Sequence, residues 1–322
     1  MRRTFTLVCL LLASLRAASG AAAVWIDTDV AIGSPLREID DGFALAFAIH
    51  SPEIRIVGIS TTYGNAGVNR TTAVARGFVR RFDPHLQVFR GAAAAGEFQR
   101  ETEASAALAR ALRKERLTYV ALGPLTNLAS FVTQHPAEAR RIERVLFVGG
   151  RSPDRVLRFG PTGAMRIHDA NVFKDPAAAR KILRTKIPLV LTPVETSAYL
   201  LLRPNERREL RGGTGRFLRE RSGIWMWFFT ALVREQGGPL FDLLPMLELT
   251  RPRLLRNETR SAAVDSAGDL IAARQPQPGA RAVRFCTGFV HDPTALVRHR
   301  LSDYSQERNA SGATVSTGAQ KN

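Results

Sequence analysis

The apolar run Val24-Trp25-Ile26 leads straight into Asp27-Thr28-Asp29, and a second acid pair, Asp40-Asp41, starts 40 − 29 = 11 residues beyond Asp29. Apolar residues ending in acids read as a buried strand that runs out at a polar edge. In an open α/β sheet, ligands sit beyond the carboxyl ends of the strands. Four carboxylates gathered there repel one another unless a cation or protons neutralise them. An all-oxygen set of this kind suits Ca²⁺ or Mg²⁺ better than zinc. Any one of these acids alone reads as a helix cap or a loop residue. Their grouping is what points to a metal site.

The elements that must position these acids follow in order. Residues 54–60, 86–89, 117–122, 144–148 and 187–191 are short apolar runs, and helical patterns at 69–82 and 105–113 alternate with them. That alternation predicts an α/β fold: a mainly parallel open sheet with helices on both faces. Polar loops follow the strands, and they include Thr62-Tyr63-Gly64-Asn65, Gly123-Pro124-Leu125-Thr126-Asn127, His168-Asp169-Ala170-Asn171 and Asp175-Pro176. Asn65 by itself reads as a turn residue. Residues 203–235 are largely helical and carry Trp225-Met226-Trp227-Phe228-Phe229. Trp225 and Phe229 lie one helical turn apart, a spacing that serves either a core stripe or a stacking platform. Gly237-Gly238-Pro239 breaks that helix, Asp242 opens the next, and residues 260–290 read as β-hairpin structure.

Composition narrows the partners. The chain has 322 residues, is 45% apolar and carries a formal charge of +17, yet only five of its 46 basic residues are Lys. The arginines are scattered, without the aromatic-interleaved stripe of a nucleic-acid module, so no nucleic-acid partner is expected. Two arginines, an apolar core and small residues read as a secretory signal over residues 1–22, which implies a periplasmic or secreted protein; the alternative is a cytoplasmic protein with an apolar N-terminus. That apolar run is too short to span a bilayer, so no stable membrane anchor is expected. Removing the signal leaves Cys286 as the one cysteine, which excludes an intrachain disulfide. Residues 23–304 read as a single domain, and the Ser/Thr/Gly-rich stretch 305–322 as a disordered tail.

Taken together, the motifs resemble the nucleoside hydrolases of the inosine-uridine-preferring type, from Val24 to about Leu301. The signature is the Asp27-Thr28-Asp29 strand end followed by Asp40-Asp41, supported by Thr62-Tyr63-Gly64-Asn65, Asp169-Ala170-Asn171 and Asp175-Pro176. The acid pair comes later than in the family, so loop 30–39 looks like an insertion. The resemblance implies hydrolysis of the N-glycosidic bond of ribonucleosides, with one Ca²⁺ holding the ribose hydroxyls and the attacking water. It implies Asp29, Asp41, Asp242 and the Leu122 carbonyl as metal ligands, and Asp29 as general base. It also implies Asp40 on the ribose 2′-hydroxyl, Asn65 positioning sugar and water, and Asp169 and Asn171 on the 5′- and 3′-side hydroxyls. A homo-oligomer is compatible with it.

For the last metal ligand the sequence offers two aspartates. Asp292 has the His-Asp pair the family usually shows, but only 322 − 292 = 30 residues follow it, too few for the hairpin and terminal helix expected there. Asp242 has the right context, so it is the choice and His291-Asp292 is a decoy. The residue that would assist the leaving base is then Phe241, which cannot. Trp225 and Phe229 are the aromatics available for stacking the base. Two other readings compete. One is a ribosyl-ligand binding protein that has lost turnover. The other is a haloacid-dehalogenase-like phosphatase, disfavoured by the scarcity of Lys and the early Asp40-Asp41.

Overall fold

The computed structural model describes residues 20–34 and 37–302. The signal expected at residues 1–22 falls almost entirely outside these residues, and the tail expected at 305–322 falls wholly outside. The framework is one nine-stranded sheet. Strand β1 (Ala22–Thr28) lies between β2 (Ile54–Thr61) and β4 (Leu117–Ala121), and is parallel to both. On one side the sheet ends at β3 (Val88–Arg90). On the other it continues through β5 (Ile142–Val148) and the strands Leu189–Thr192 and Arg281–Phe289, all parallel. The strand Leu255–Val264 then runs antiparallel to its neighbours and pairs with Leu270–Ala273 at the edge. The parallel sheet and the hairpin region expected from the sequence are both present.

Because the chain builds from β1 to one side and then returns to β4 on the other, β1 and β4 flank the topological switch point. Connections leave the two strands to opposite sides, so a crevice opens at their carboxyl ends, where such sheets bind ligands. Helix α1 (Asp40–Ile49) starts at this edge. Its Phe43, Leu45 and Phe47 are fully buried, as expected for a helix with almost no polar face beyond its first turn. Helices α2 (Val68–Phe82), α3 (Glu103–Lys114) and α4 (Thr126–Gln134) follow β2, β3 and β4. Two apolar clusters, one on each face, hold the sheet between them. Burial of large side chains such as Phe43 or Phe131 stabilises by about 1.5–3 kcal/mol each.

The aromatic knot is core. Trp225 and Phe229 are 9% and 6% exposed and meet edge to face at 5.1 Å, and Phe159 packs on Phe229 at 5.7 Å. Gly238 admits the Trp225 ring, since a Cβ there would lie 2.0 Å from it. These two rings, expected as a stacking platform for the base, are packed on one another and on Phe159. Of the knot, Trp227 is the ring that stands exposed, at 55%.

Candidate active site

Asp27 is fully buried at the end of β1 and stitches the edge together. Its Oδ1 accepts from Ser60 Oγ on β2 and from Asn127 Nδ2 on α4, both at 2.7 Å. Burial pushes its carboxyl up to about 7 against these hydrogen bonds. Asp27 Oδ1 thus ties β1, β2 and α4 together.

Asp29 comes next, just past the strand. Asn65 donates to it twice, from its backbone N at 2.7 Å and from Nδ2 at 3.3 Å. The same Nδ2 lies 3.1 Å from Asp41 Oδ2, so one amide bridges the two carboxylates. Thr28 Oγ1 also donates to Asp41. The turn that brings Asn65 in requires Gly64, where a Cβ would stand 1.7 Å from Asp29 Oδ2. Asp40 and Asp41 open α1, where the positive end of the helix dipole favours anions. Asp242 reaches the same place from the start of the helix Leu243–Thr250.

Asp40, Asp41 and Asp242 are all buried, and each offers an oxygen within 4.8 Å of those of the other two. Burial first, and then the charges of neighbouring acids, drive all three carboxyls well above the usual carboxylate range. Asp29 is raised by burial too, while Lys174 and the Asn65 backbone pull it down. A buried, all-oxygen cluster short of positive charge is the donor set for a hard divalent cation. The residues present fit such an ion.

Other expected residues stand differently. Asp169 is buried and has both oxygens on backbone amides, Oδ2 on Gly150 N at 2.6 Å and Oδ1 on Val172 N at 3.2 Å. Asn171 Nδ2 donates to the carbonyls of Leu122 at 2.7 Å and Val148 at 3.0 Å. Leu122 O therefore already has one partner, leaving its second lone pair for another. Asp292 is exposed and accepts from Thr294 N and Oγ1 at 2.9 and 2.6 Å, at the start of the helix Thr294–Leu301. It is not among the three aspartates whose oxygens lie within 4.8 Å of one another. Phe241 is buried beside Asp242.

Two residues the sequence did not mark join the site. Lys174 Nζ lies 3.7 Å from Asp29 Oδ2. Glu38, from loop 30–39, is exposed as a residue, yet desolvation and the Asp29 charge raise its carboxyl while Lys174 lowers it. Glu38 stands two residues before Asp40, which was its one signal. Lys174, immediately before Asp175-Pro176, had none beyond the rarity of Lys.

A parallel sheet with a buried, oxygen-lined cluster of carboxylates at its switch point is the architecture of an α/β protein that holds a small ligand at the carboxyl edge. Comparison with known proteins narrows it. The model of the inosine-uridine preferring nucleoside hydrolase family matches residues 24–298. The non-specific ribonucleoside hydrolase RihC of Salmonella agona (strain SL483) is 27% identical over 264 residues, covering 73% of this chain and 82% of that protein. A plant nucleoside hydrolase, PpNRh1, superposes with a TM-score of 0.74 at 21% identity, over 87% of this chain and 99% of that one. The purine-preferring ribonucleoside hydrolase from Gardnerella vaginalis gives 0.72 at 20%, over 87% and 97%. The chain belongs to the inosine-uridine-preferring nucleoside hydrolase family. It is an enzyme that hydrolyses the N-glycosidic bond of ribonucleosides, in a family that depends on a metal ion. Among the described residues no helix is long and apolar enough to cross a membrane.

Proposed function

We propose that the acidic crevice holds Ca²⁺ and is where a ribonucleoside is split into ribose and free base. The observation that carries this reading is the buried cluster Asp40, Asp41 and Asp242, with oxygens within 4.8 Å of one another, beside Asp29. Asp29, Asp41, Asp242 and the Leu122 carbonyl would hold the ion. When bound, the ion neutralises the cluster and polarises the oxygens it touches. Asp40 takes the 2′-hydroxyl and so fixes the anomeric carbon over the site. Asn65, already bridging Asp29 and Asp41, orients the attacking water, and Asp29 accepts its proton as the carbon–nitrogen bond opens. A positioned base of this kind contributes about 10²–10⁴-fold. Positive charge building on the ribose ring falls among carboxylates, which favours an oxocarbenium-like state.

Asp169 and Asn171 act on the ribose from behind, by holding Gly150 and the Leu122 and Val148 carbonyls. Phe241 gives the base an apolar neighbour with no hydrogen to donate, so the base is read by shape. A pocket of that kind discriminates weakly between bases, which agrees with the broad activity in the name of the RihC relative. Export to the periplasm rests on the N-terminal signal pattern alone.

The test is direct. Chelator-stripped protein is incubated with inosine, adenosine, uridine and cytidine, with Ca²⁺ or Mg²⁺ restored, and reducing sugar is measured. Ribose release from purine and pyrimidine nucleosides alike, restored best by Ca²⁺, is expected. Release unaffected by stripping would refute the metal reading, and ribose binding without any release would favour a protein that has lost turnover.

A further inference from the structure

Within the acid crevice, Asp29 is a carboxylate with a lysine ammonium beside it. The oxygens that gather within 4.8 Å belong to Asp40, Asp41 and Asp242, and Asp29 joins them through the Asn65 amide it shares with Asp41 while its Oδ2 lies 3.7 Å from Lys174 Nζ. Lys174 is held at this point by its backbone. Its N donates to Ala170 O at 3.1 Å, and its carbonyl accepts from the Tyr63 hydroxyl at 3.2 Å. The next residue, Asp175, caps the helix Pro176–Leu183 and accepts from Thr126 Oγ1 at 2.6 Å. The ammonium is thus delivered by a pinned segment, and Tyr63 ties that segment to the Gly64-Asn65 turn. Its side chain is 25% exposed and that of Asp29 only 2%, so the charge reaches Asp29 through little solvent. A chain with five Lys among 46 basic residues places one of them here. The same ammonium acts on Glu38, the extra carboxylate contributed by loop 30–39.

Resting on the metal reading above, we propose that Lys174 is a tethered counter-cation that competes with the divalent ion for Asp29. It is a positioning residue. In the ion-free crevice its charge offsets that of Asp29, on the side of the cluster where Asn65 ties Asp29 to Asp41. An incoming ion must displace the ammonium to recruit its fourth carboxylate, and it then shares the crevice with a like charge a few ångströms away. The consequence is a site that loads its ion more weakly than four aspartates alone would. Lys suits this role better than Arg, because a single ammonium can swing clear whereas a guanidinium fork would stay engaged with the carboxylate.

The experiment titrates Ca²⁺ into chelator-stripped protein by calorimetry, with no nucleoside present, for the wild type, Lys174→Met, Lys174→Gln and Lys174→Arg. The Met and Gln variants are expected to bind Ca²⁺ about tenfold or more tightly than the wild type, a change of about 1.4 kcal/mol. Lys174→Arg is expected to bind no more tightly than the wild type. Equal or weaker binding in both uncharged variants would overturn the proposal while leaving the metal reading intact. Ion binding seen only in the uncharged variants would support it strongly. No binding in any of the four would overturn both. Thermal unfolding of each stripped variant confirms that the comparison is between folded proteins.

Discussion

Replacing Asp242 by Asn should make the ion-free protein more stable while abolishing its response to Ca²⁺. The side chain keeps its shape and loses a charge at a place where the oxygens of three buried carboxylates lie within 4.8 Å. At an effective dielectric near 20, two full charges at that separation repel by about 3 kcal/mol. The carboxyls of this cluster are driven upward, so part of that repulsion is already relieved by protons. A gain of about 1–3 kcal/mol in chelator is therefore expected from urea unfolding at neutral pH. Saturating Ca²⁺ at a hundred times its dissociation constant would stabilise the wild type by about 2.7 kcal/mol. The variant should gain little, so the order of stabilities narrows or reverses when the ion is added. Both curves are read by the same urea titration, with and without Ca²⁺. If Asp242→Asn is less stable than the wild type in chelator, or if Ca²⁺ stabilises both equally, the reasoning about this cluster is wrong.

Three further outcomes follow from the same geometry. Gly64→Ala places a Cβ 1.7 Å from Asp29 Oδ2, so the turn must move and the Asn65 bonds to Asp29 must lengthen. Ribonucleoside hydrolysis should fall by about 10²-fold or more, since a shift near 1 Å is that costly; kcat/KM within threefold of the wild type would contradict it. Asp169 is pushed up to about 6 by burial. Because an acid raised in the folded state keeps a proton that the unfolded chain has released, stability falls as pH rises from about 4 to 6. Asp169→Asn should flatten that fall, by up to about 3 kcal/mol for the two-unit shift, as read by denaturation at pH 4, 5, 6 and 7. Asp292→Ala removes the carboxylate that accepts from Thr294, so it should cost about 1 kcal/mol of stability. Its ribose release should match the wild type, and lost hydrolysis would return Asp292 to the metal site.

What the sequence made legible was tied to backbone periodicity. Asp29 was visible as a strand end and Asp40-Asp41 as a helix start, because apolar runs mark where each element meets the edge. Asn65 and Asp242 were placed by the loop or helix they open. The shape of the sheet followed from the same alternation. Roles that depend on side-chain direction were not legible. Asp169 and Asn171 lie at the expected edge, yet their polar atoms are engaged with the amides and carbonyls of Gly150, Leu122 and Val148, which no spacing predicts. Trp225 and Phe229 share a helical face, but only packing reveals that this face looks at Gly238 and Phe159. Glu38 and Lys174 meet Asp29 from segments more than 130 residues apart in the chain, and charge alone names no partner across that distance.

The central claim is that the carboxylates at the end of β1 and the start of α1 carry the reaction together with a divalent ion. Asp41 tests it most directly, because it is bridged to Asp29 by Asn65 and belongs to the cluster with Asp40 and Asp242. Ribose release from inosine and uridine should be measured for Asp41→Ala and the wild type at the same saturating Ca²⁺. A loss of about 10²–10³-fold in a variant that unfolds cooperatively is the predicted result, the size of effect that removing one group stabilising transition-state charge produces. Release within tenfold of the wild type would contradict the claim.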